Sequence, residues 1–145
     1  MHLWIYKVEG FFDTAHPEYV ILAAGKVGGI VENKTYPAEF ITRNLAVQLN
    51  VIRSAHTVGV KRFILFGSSC MYPRECSQPM LEVDLLSGCP ESTSMSYAIA
   101  KLAGVQMCLA YNQQFGYKRT FRLFLTVSLA QTIILIRLPA MSNQR

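Results

Sequence analysis

The feature that most constrains this chain is the run Arg62-Phe63-Ile64-Leu65-Phe66, followed at once by Gly67-Ser68-Ser69-Cys70-Met71-Tyr72-Pro73. A short, unbroken apolar run closed by a turn residue has the length and character of a strand covered on both faces, as in a parallel sheet. Gly67 lets the backbone turn, so two hydroxyls and a thiol arrive at the carboxyl end of that strand. In open α/β sheets that edge is where ligands bind. Downstream, Tyr97-Ala98-Ile99-Ala100-Lys101 reads as the start of a helix, which places the phenol and the amine on one face. An ammonium held beside a phenol lowers its pKa and eases proton transfer near neutral pH, and a serine hydroxyl nearby can orient a substrate carbonyl. Alone, Tyr-x-x-x-Lys is most often a solvated pair and Ser-Ser after a strand a plain turn. The signal is in their combination and order.

The rest of the chain supplies a matching framework. Met1 to Gly10 carries no clear pattern, and Phe11-Phe12-Asp13 reads as the tail of a helix. Tyr19 to Ala24 is a second apolar run, ending in Gly25-Lys26-Val27-Gly28-Gly29-Ile30. Small residues there either allow close backbone approach to a ligand or make a flexible loop. Thr35-Tyr36-Pro37 marks a helix start. Ile41, Leu45, Leu49 and Ile52 recur at helical spacing, which predicts an amphipathic helix over Ala38 to His56, with Gly59 at its C-terminal cap. A second helix is expected from Ser94 to Phe115, stopped by Gly116. The order is strand, helix, strand, helix, hence an α/β fold with a parallel sheet. Asn44 inside the first helix reads as a solvent-facing residue, with a functional role as the alternative. His56 reads as a partner of the helix dipole.

Composition excludes several classes. The chain has 145 residues, 51% hydrophobic and 16% charged, which suits one folded domain. A net charge of +5 favours anionic ligands, but the basic residues are scattered without an aromatic-interleaved stripe, so nucleic acid is not the expected partner. Cys70, Cys76, Cys89 and Cys108 form no CxxC, and with three histidines in the chain no metal site is expected. No secretory signal is visible, so a cytoplasmic chain with reduced thiols is the expectation.

From Phe11 to about Tyr117 the sequence resembles one enzyme family closely. The matching stretches are Leu22 to Ile30, Asn33 to Ala38, Gly67 to Pro73, Gln78-Pro79-Met80-Leu81-Glu82 and Tyr97 to Gly104. They resemble the GDP-L-fucose synthases, in the extended branch of the short-chain dehydrogenases/reductases that acts on nucleotide sugars. The resemblance implies a fragment of a Rossmann-like doubly wound parallel sheet, spanning residues 11–120, with 1–10 and 121–145 outside it. It implies NADP(H) as cofactor, a GDP-sugar as substrate, and a homodimer formed through the two long helices, with no membrane partner. The implied reaction is epimerisation at C3 and C5 of GDP-4-keto-6-deoxy-D-mannose, then reduction of its C4 ketone. By resemblance, Ser68, Tyr97 and Lys101 form the reductase triad and Cys70 is the epimerisation base. Ala23, Ala24, Gly25, Lys26, Phe66, Gly67, Ser68, Ser69, Tyr97 and Lys101 would line the cofactor.

The chain departs from that pattern at both ends. The family's glycine-rich strand-turn-helix, which cradles a pyrophosphate, is not found ahead of Phe11, and the residue that selects NAD or NADP lies in that unit. After Thr120 the family's Pro-x-Asn-x-x-Gly-Pro loop and catalytic histidine give way to the apolar run Leu123 to Ile136. That run reads in three ways: a membrane helix, though about 14 residues is short of the roughly 20 required; a buried strand or docking helix; or the product of a reading-frame shift, the one favoured here. The expectation is therefore an incomplete form of the enzyme, weakly active or inactive by itself.

Overall fold

The structure, a computed structural model, describes residues 2–117 and 121–124. Three parallel strands, β1 (Tyr19–Leu22), β2 (Arg62–Phe66) and β3 (Phe121–Phe124), form a sheet in the order β1-β2-β3. Tyr19 to Leu22 lie opposite Arg62 to Leu65, and Phe63 to Phe66 lie opposite Phe121 to Phe124. Around the sheet run helices α1 (His2–Ala15), α2 (Ile30–Thr35), α3 (Pro37–Thr57) and α4 (Met95–Gln114). The α/β class, the parallel pairing and both long helices agree with the sequence reading. The expected tail at Phe11 to Asp13 is the end of a longer helix that takes in most of the unpatterned start.

Alternation along the strands shows where the core sits. Val20, Leu22, Phe63 and Leu65 are fully buried, whereas Tyr19, Ile21, Ile64 and Phe66 are half-buried. The buried set packs against Phe12 of α1, Val51, Ile52 and Ala55 of α3, and Leu102, Val105 and Cys108 of α4. One face of the sheet thus carries the core. The expectation of a β2 covered on both faces is corrected: among the described residues, the three helices that supply the core serve one face.

Helix α3 corrects a second expectation. Its fully buried line is Phe40, Asn44, Gln48, Val51 and Ala55, not Ile41, Leu45 and Leu49. Leu49 is exposed and Ile41 and Leu45 are half-buried. Polar groups can occupy the inner line because each finds a carbonyl. Asn44 Nδ2 donates to Phe40 O at 2.7 Å and to Lys26 O at 3.0 Å. Gln48 Nε2 donates to Asn44 O at 3.0 Å and across to Ala100 O of α4 at 2.8 Å. The solvent-facing reading of Asn44 is therefore wrong, since a buried amide is stable when hydrogen-bonded. Opposite Gln48 stands Gly104, where a Cβ would collide with Gln48 Oε1, so glycine lets α3 and α4 cross closely.

Both long helices end as their glycines predict. Gly59 and Gly116 adopt φ of +69° and +64°, the left-handed conformation that closes a helix without a Cβ penalty. His56 is held by neighbours beyond its helix. Its Nδ1 lies 2.7 Å from the Tyr117 hydroxyl, and its ring lies 4.1 Å from that of Phe115 and 5.1 Å from that of Tyr111. A side-chain cluster, rather than the dipole of α3 alone, is what His56 serves. Of the apolar run Leu123 to Ile136, all beyond Phe124 lies outside the described residues.

Candidate functional site

The carboxyl ends of β1 and β2 open side by side, and α4 starts beside them. The chain leaving β2 makes a single 3₁₀ turn over Ser69–Met71. Ser68 caps that turn, its Oγ accepting the Cys70 N–H at 3.3 Å, while Met71 N–H donates to Ser68 O at 3.1 Å. Met71 and Tyr72 are buried, which anchors the far end of the segment. Ser68, Ser69 and Cys70 are left half-exposed at the sheet edge.

Tyr97 and Lys101, one turn apart on α4, face this edge. Lys101 is 5% exposed and its Nζ donates to Phe66 O at 3.0 Å, so its ammonium sits on the last residue of β2. The same Nζ lies 6.0 Å from the centre of the Tyr97 ring. Burial pushes the Tyr97 phenol up from its ordinary value, the Ser68 hydroxyl pulls it back down, and Cys70 adds to the rise. Ser68, Cys70, Tyr97 and Lys101 are thereby gathered at one sheet edge. The expectation that Lys101 depresses the Tyr97 pKa is corrected: burial dominates the phenol, and burial also lowers the pKa of Lys101. Burial destabilises whichever form of a group is charged, so a phenol is pushed up and an ammonium down.

A cleft between the two strand ends is lined by Ala23, Gly25, Val27, Phe66, Gly67, Tyr97 and Lys101. Six of these are among the residues expected to meet a cofactor; Val27 is an addition, for which the small residues around it were the only signal. Two others turn elsewhere. Ala24 packs against the core. Lys26 reaches away to Glu32 Oε1 at 2.9 Å and to Glu39 Oε2 at 3.8 Å, because α2, which the sequence reading did not separate from the following helix, brings a carboxylate to it. Ser68 and Ser69 stand at the rim, on the turn after β2.

The cleft presents one buried donor suited to the hydroxyls of a ribose. The Lys101 ammonium is buried and its hydrogen bond is to a single carbonyl, so donor capacity remains for sugar hydroxyls. At Gly25 a Cβ would collide with Asn44 Oδ1 and approach Lys101 Nζ to 4.0 Å, so glycine keeps the backbone itself against the cleft. Among the described residues no group of three or more His, Cys, Asp or Glu could hold a metal ion. No helix among them is long and apolar enough to cross a membrane.

Comparison with known proteins bears on this geometry. Residues 5–131 match the model of the NAD dependent epimerase/dehydratase family. Over 107 residues the chain is 58% identical to a putative GDP-L-fucose synthase 2 of Arabidopsis thaliana, covering 74% of this chain and 33% of that protein. It is 49% identical over 109 residues to the GDP-L-fucose synthase of Escherichia coli K12, covering 75% and 34%. The chain thus spans about a third of the length of the curated relatives it matches. Among solved structures, a GDP-mannoheptose C4 reductase from Campylobacter jejuni with NADP bound superposes with a TM-score of 0.77 at 37% identity, over 83% of this chain and 38% of that one.

Proposed function

The chain belongs to the NAD dependent epimerase/dehydratase family, and from that premise we propose that it carries the catalytic edge of a GDP-L-fucose synthase. The unit taken to do so is residues 11–120. The reaction is NADPH-dependent epimerisation and reduction of GDP-4-keto-6-deoxy-D-mannose to GDP-L-fucose. What carries the reading is the meeting of Ser68, Cys70, Tyr97 and Lys101 at the end of β2.

Each side chain has a task that its surroundings suit. Tyr97, held protonated by burial, donates its proton to the C4 oxygen as that oxygen gains charge. The Ser68 hydroxyl, beside the phenol, holds the same oxygen in line. Lys101 would hold the ribose hydroxyls of the cofactor, with Gly25 and Gly67 lining the same cleft. The chemistry that bound NADPH supplies is hydride for the ketone carbon. Cys70, half-exposed at the rim, takes the acidic proton next to the ketone, leaving an enolate that water or a second acid reprotonates on the opposite face. Ala23, Val27 and Phe66 wall the cleft with apolar surface; Ala24, Lys26 and Ser69 support it from behind and from the rim. Four free cysteines accord with a reducing, cytoplasmic setting.

A homodimer through α3 and α4 belongs to the same reading. The apolar line that α3 turns away from the core ends in Leu49, 49% exposed, and α4 adds Ile99 and Leu109 at 42% and 54%. Pairing these faces removes apolar surface from water.

A second reading, a C4 reductase for another GDP-sugar, is supported by the likeness to the Campylobacter enzyme. Cys70 favours the first, since reduction alone needs no base there. The test of the cofactor site is a titration of NADPH fluorescence against this chain and its Lys101→Met variant. Micromolar binding that K101M weakens about tenfold, the worth of one charged hydrogen bond, upholds the site. Binding indifferent to the substitution, or no binding at all, refutes it.

A further inference from the structure

We propose that Phe40 is a positioning residue for Tyr97, and that Lys26 fastens it to the glycine-rich loop. The inference rests on the reading above, in which Tyr97 is the proton donor. Phe40 is completely buried at the start of α3, and its ring meets the Tyr97 ring edge-on, centroids 6.3 Å apart at 85°. That geometry is the favoured one for an aromatic pair and holds both rings in one orientation. Tyr97 lies on α4, so this contact joins the phenol to α3.

Three further contacts tie Phe40 to residues 25–29. The Lys26 ammonium lies 4.8 Å from the centre of the Phe40 ring, a cation-π distance. It is kept there by Glu32 of α2, at 2.9 Å. At Gly28 a Cβ would stand 2.9 Å from Phe40 Cζ, so the ring lies directly against the loop backbone. Asn44, one turn along α3, donates to Phe40 O and Lys26 O together, joining the two backbones. The same loop presents Gly25 and Val27 to the cleft. A displacement of the cleft wall therefore reaches the phenol through one ring. Leucine at 40 would fill part of the space but lose the edge contact, freeing the Tyr97 ring and letting water approach it.

The test observes Tyr97 directly and needs no turnover. This chain is prepared with 13Cζ-labelled tyrosine, and Tyr97→Phe assigns the resonance. In Phe40→Leu the Tyr97 signal should move and its titration midpoint should fall by about half a pH unit or more, because water reaches a phenol whose burial had raised it. Lys26→Met should move the signal in the same sense by a smaller amount. Val51→Ala, a buried core deletion on the same helix, should lower stability yet leave Tyr97 where it was. Phe40→Met, a second apolar side chain without a ring, should repeat the Phe40→Leu result. A Tyr97 signal and midpoint in both Phe40 variants that match Val51→Ala overturn the proposal. That outcome leaves NADPH binding untouched, so it is distinguishable from failure of the functional reading, which the titration above decides.

Discussion

The ends of β1 and β2 lie side by side yet use their polar groups in opposite ways. After β1 the loop is pinned from several directions. Asn44 binds Lys26 O, Asn33 Nδ2 donates to Gly28 O at 3.0 Å and Gly29 O at 3.1 Å, and Lys26 pairs with Glu32. Asn33 and Asn44 are 7% and 2% exposed, so their amides are committed to structure. After β2 the one side-chain bond within the turn is the weak cap from Ser68, and the hydroxyls and thiol stay at the rim. A rigid wall thus faces a reactive one. Rigidity on one side is what lets few contacts hold a reacting geometry on the other.

The contrast predicts how substitutions should rank. Gly25→Val should be the most damaging, at about 3 kcal/mol, because the new side chain must displace the Asn44 amide from a packed site. Urea midpoints measure it; a loss under about 1 kcal/mol would mean that the loop is not pinned. Asn44→Leu should follow at about 2 kcal/mol, since it removes the partner of the half-buried Lys26 carbonyl and a buried amide from a packed site. Ser68→Ala should cost about 1 kcal/mol or less, the value of a cap. Equal losses in Asn44→Leu and Ser68→Ala would erase the distinction between the two strand ends.

Alkaline pH should give the smallest difference between variants, and of the two strand ends it should touch the β2 side. Tyr97 has a raised pKa in the fold, so its contribution is intact below the ordinary tyrosine value of about 10 and is lost as pH rises through the folded value. Lys101 has a lowered one, so its contribution is lost as pH falls through the folded value and is recovered toward the ordinary lysine value of about 10.4. In urea titrations at stepped pH, Lys101→Met should reduce the rise and Tyr97→Phe the later fall, to which the Cys108 thiol and the Tyr72 phenol, both raised by burial, contribute equally in wild type and variants. An Asn44→Leu profile parallel to wild type would complete the contrast; one that changes slope would show that both walls titrate.

Much of this architecture can be read without coordinates, for local reasons. The strand at 62–66, the helices ending near Gly59 and Gly116, and the one-turn spacing of Tyr97 and Lys101 depend on apolar runs, turn chemistry and helical period. Motif order carried the candidate site, because Gly-Ser-Ser-Cys after a strand and Tyr-x-x-x-Lys on a helix each retain meaning in isolation. The inner line of α3 was not legible. Ile41, Leu45 and Leu49 are more hydrophobic than Phe40, Asn44 and Gln48 taken together, and only partners on other segments make the polar line the buried one.

The sequence by itself determined β1, β2 and the two long helices, and which residues bear hydroxyl, thiol, phenol and amine, since period and side-chain chemistry are properties of neighbours along the chain. Tertiary structure decided that Asn44 faces inward to a carbonyl 18 residues away, that Lys26 leaves the cleft for Glu32, and that His56 meets a tyrosine 61 residues on. It also decided the direction of the Tyr97 pKa, because burial and charge act through space and depend on what the fold brings near.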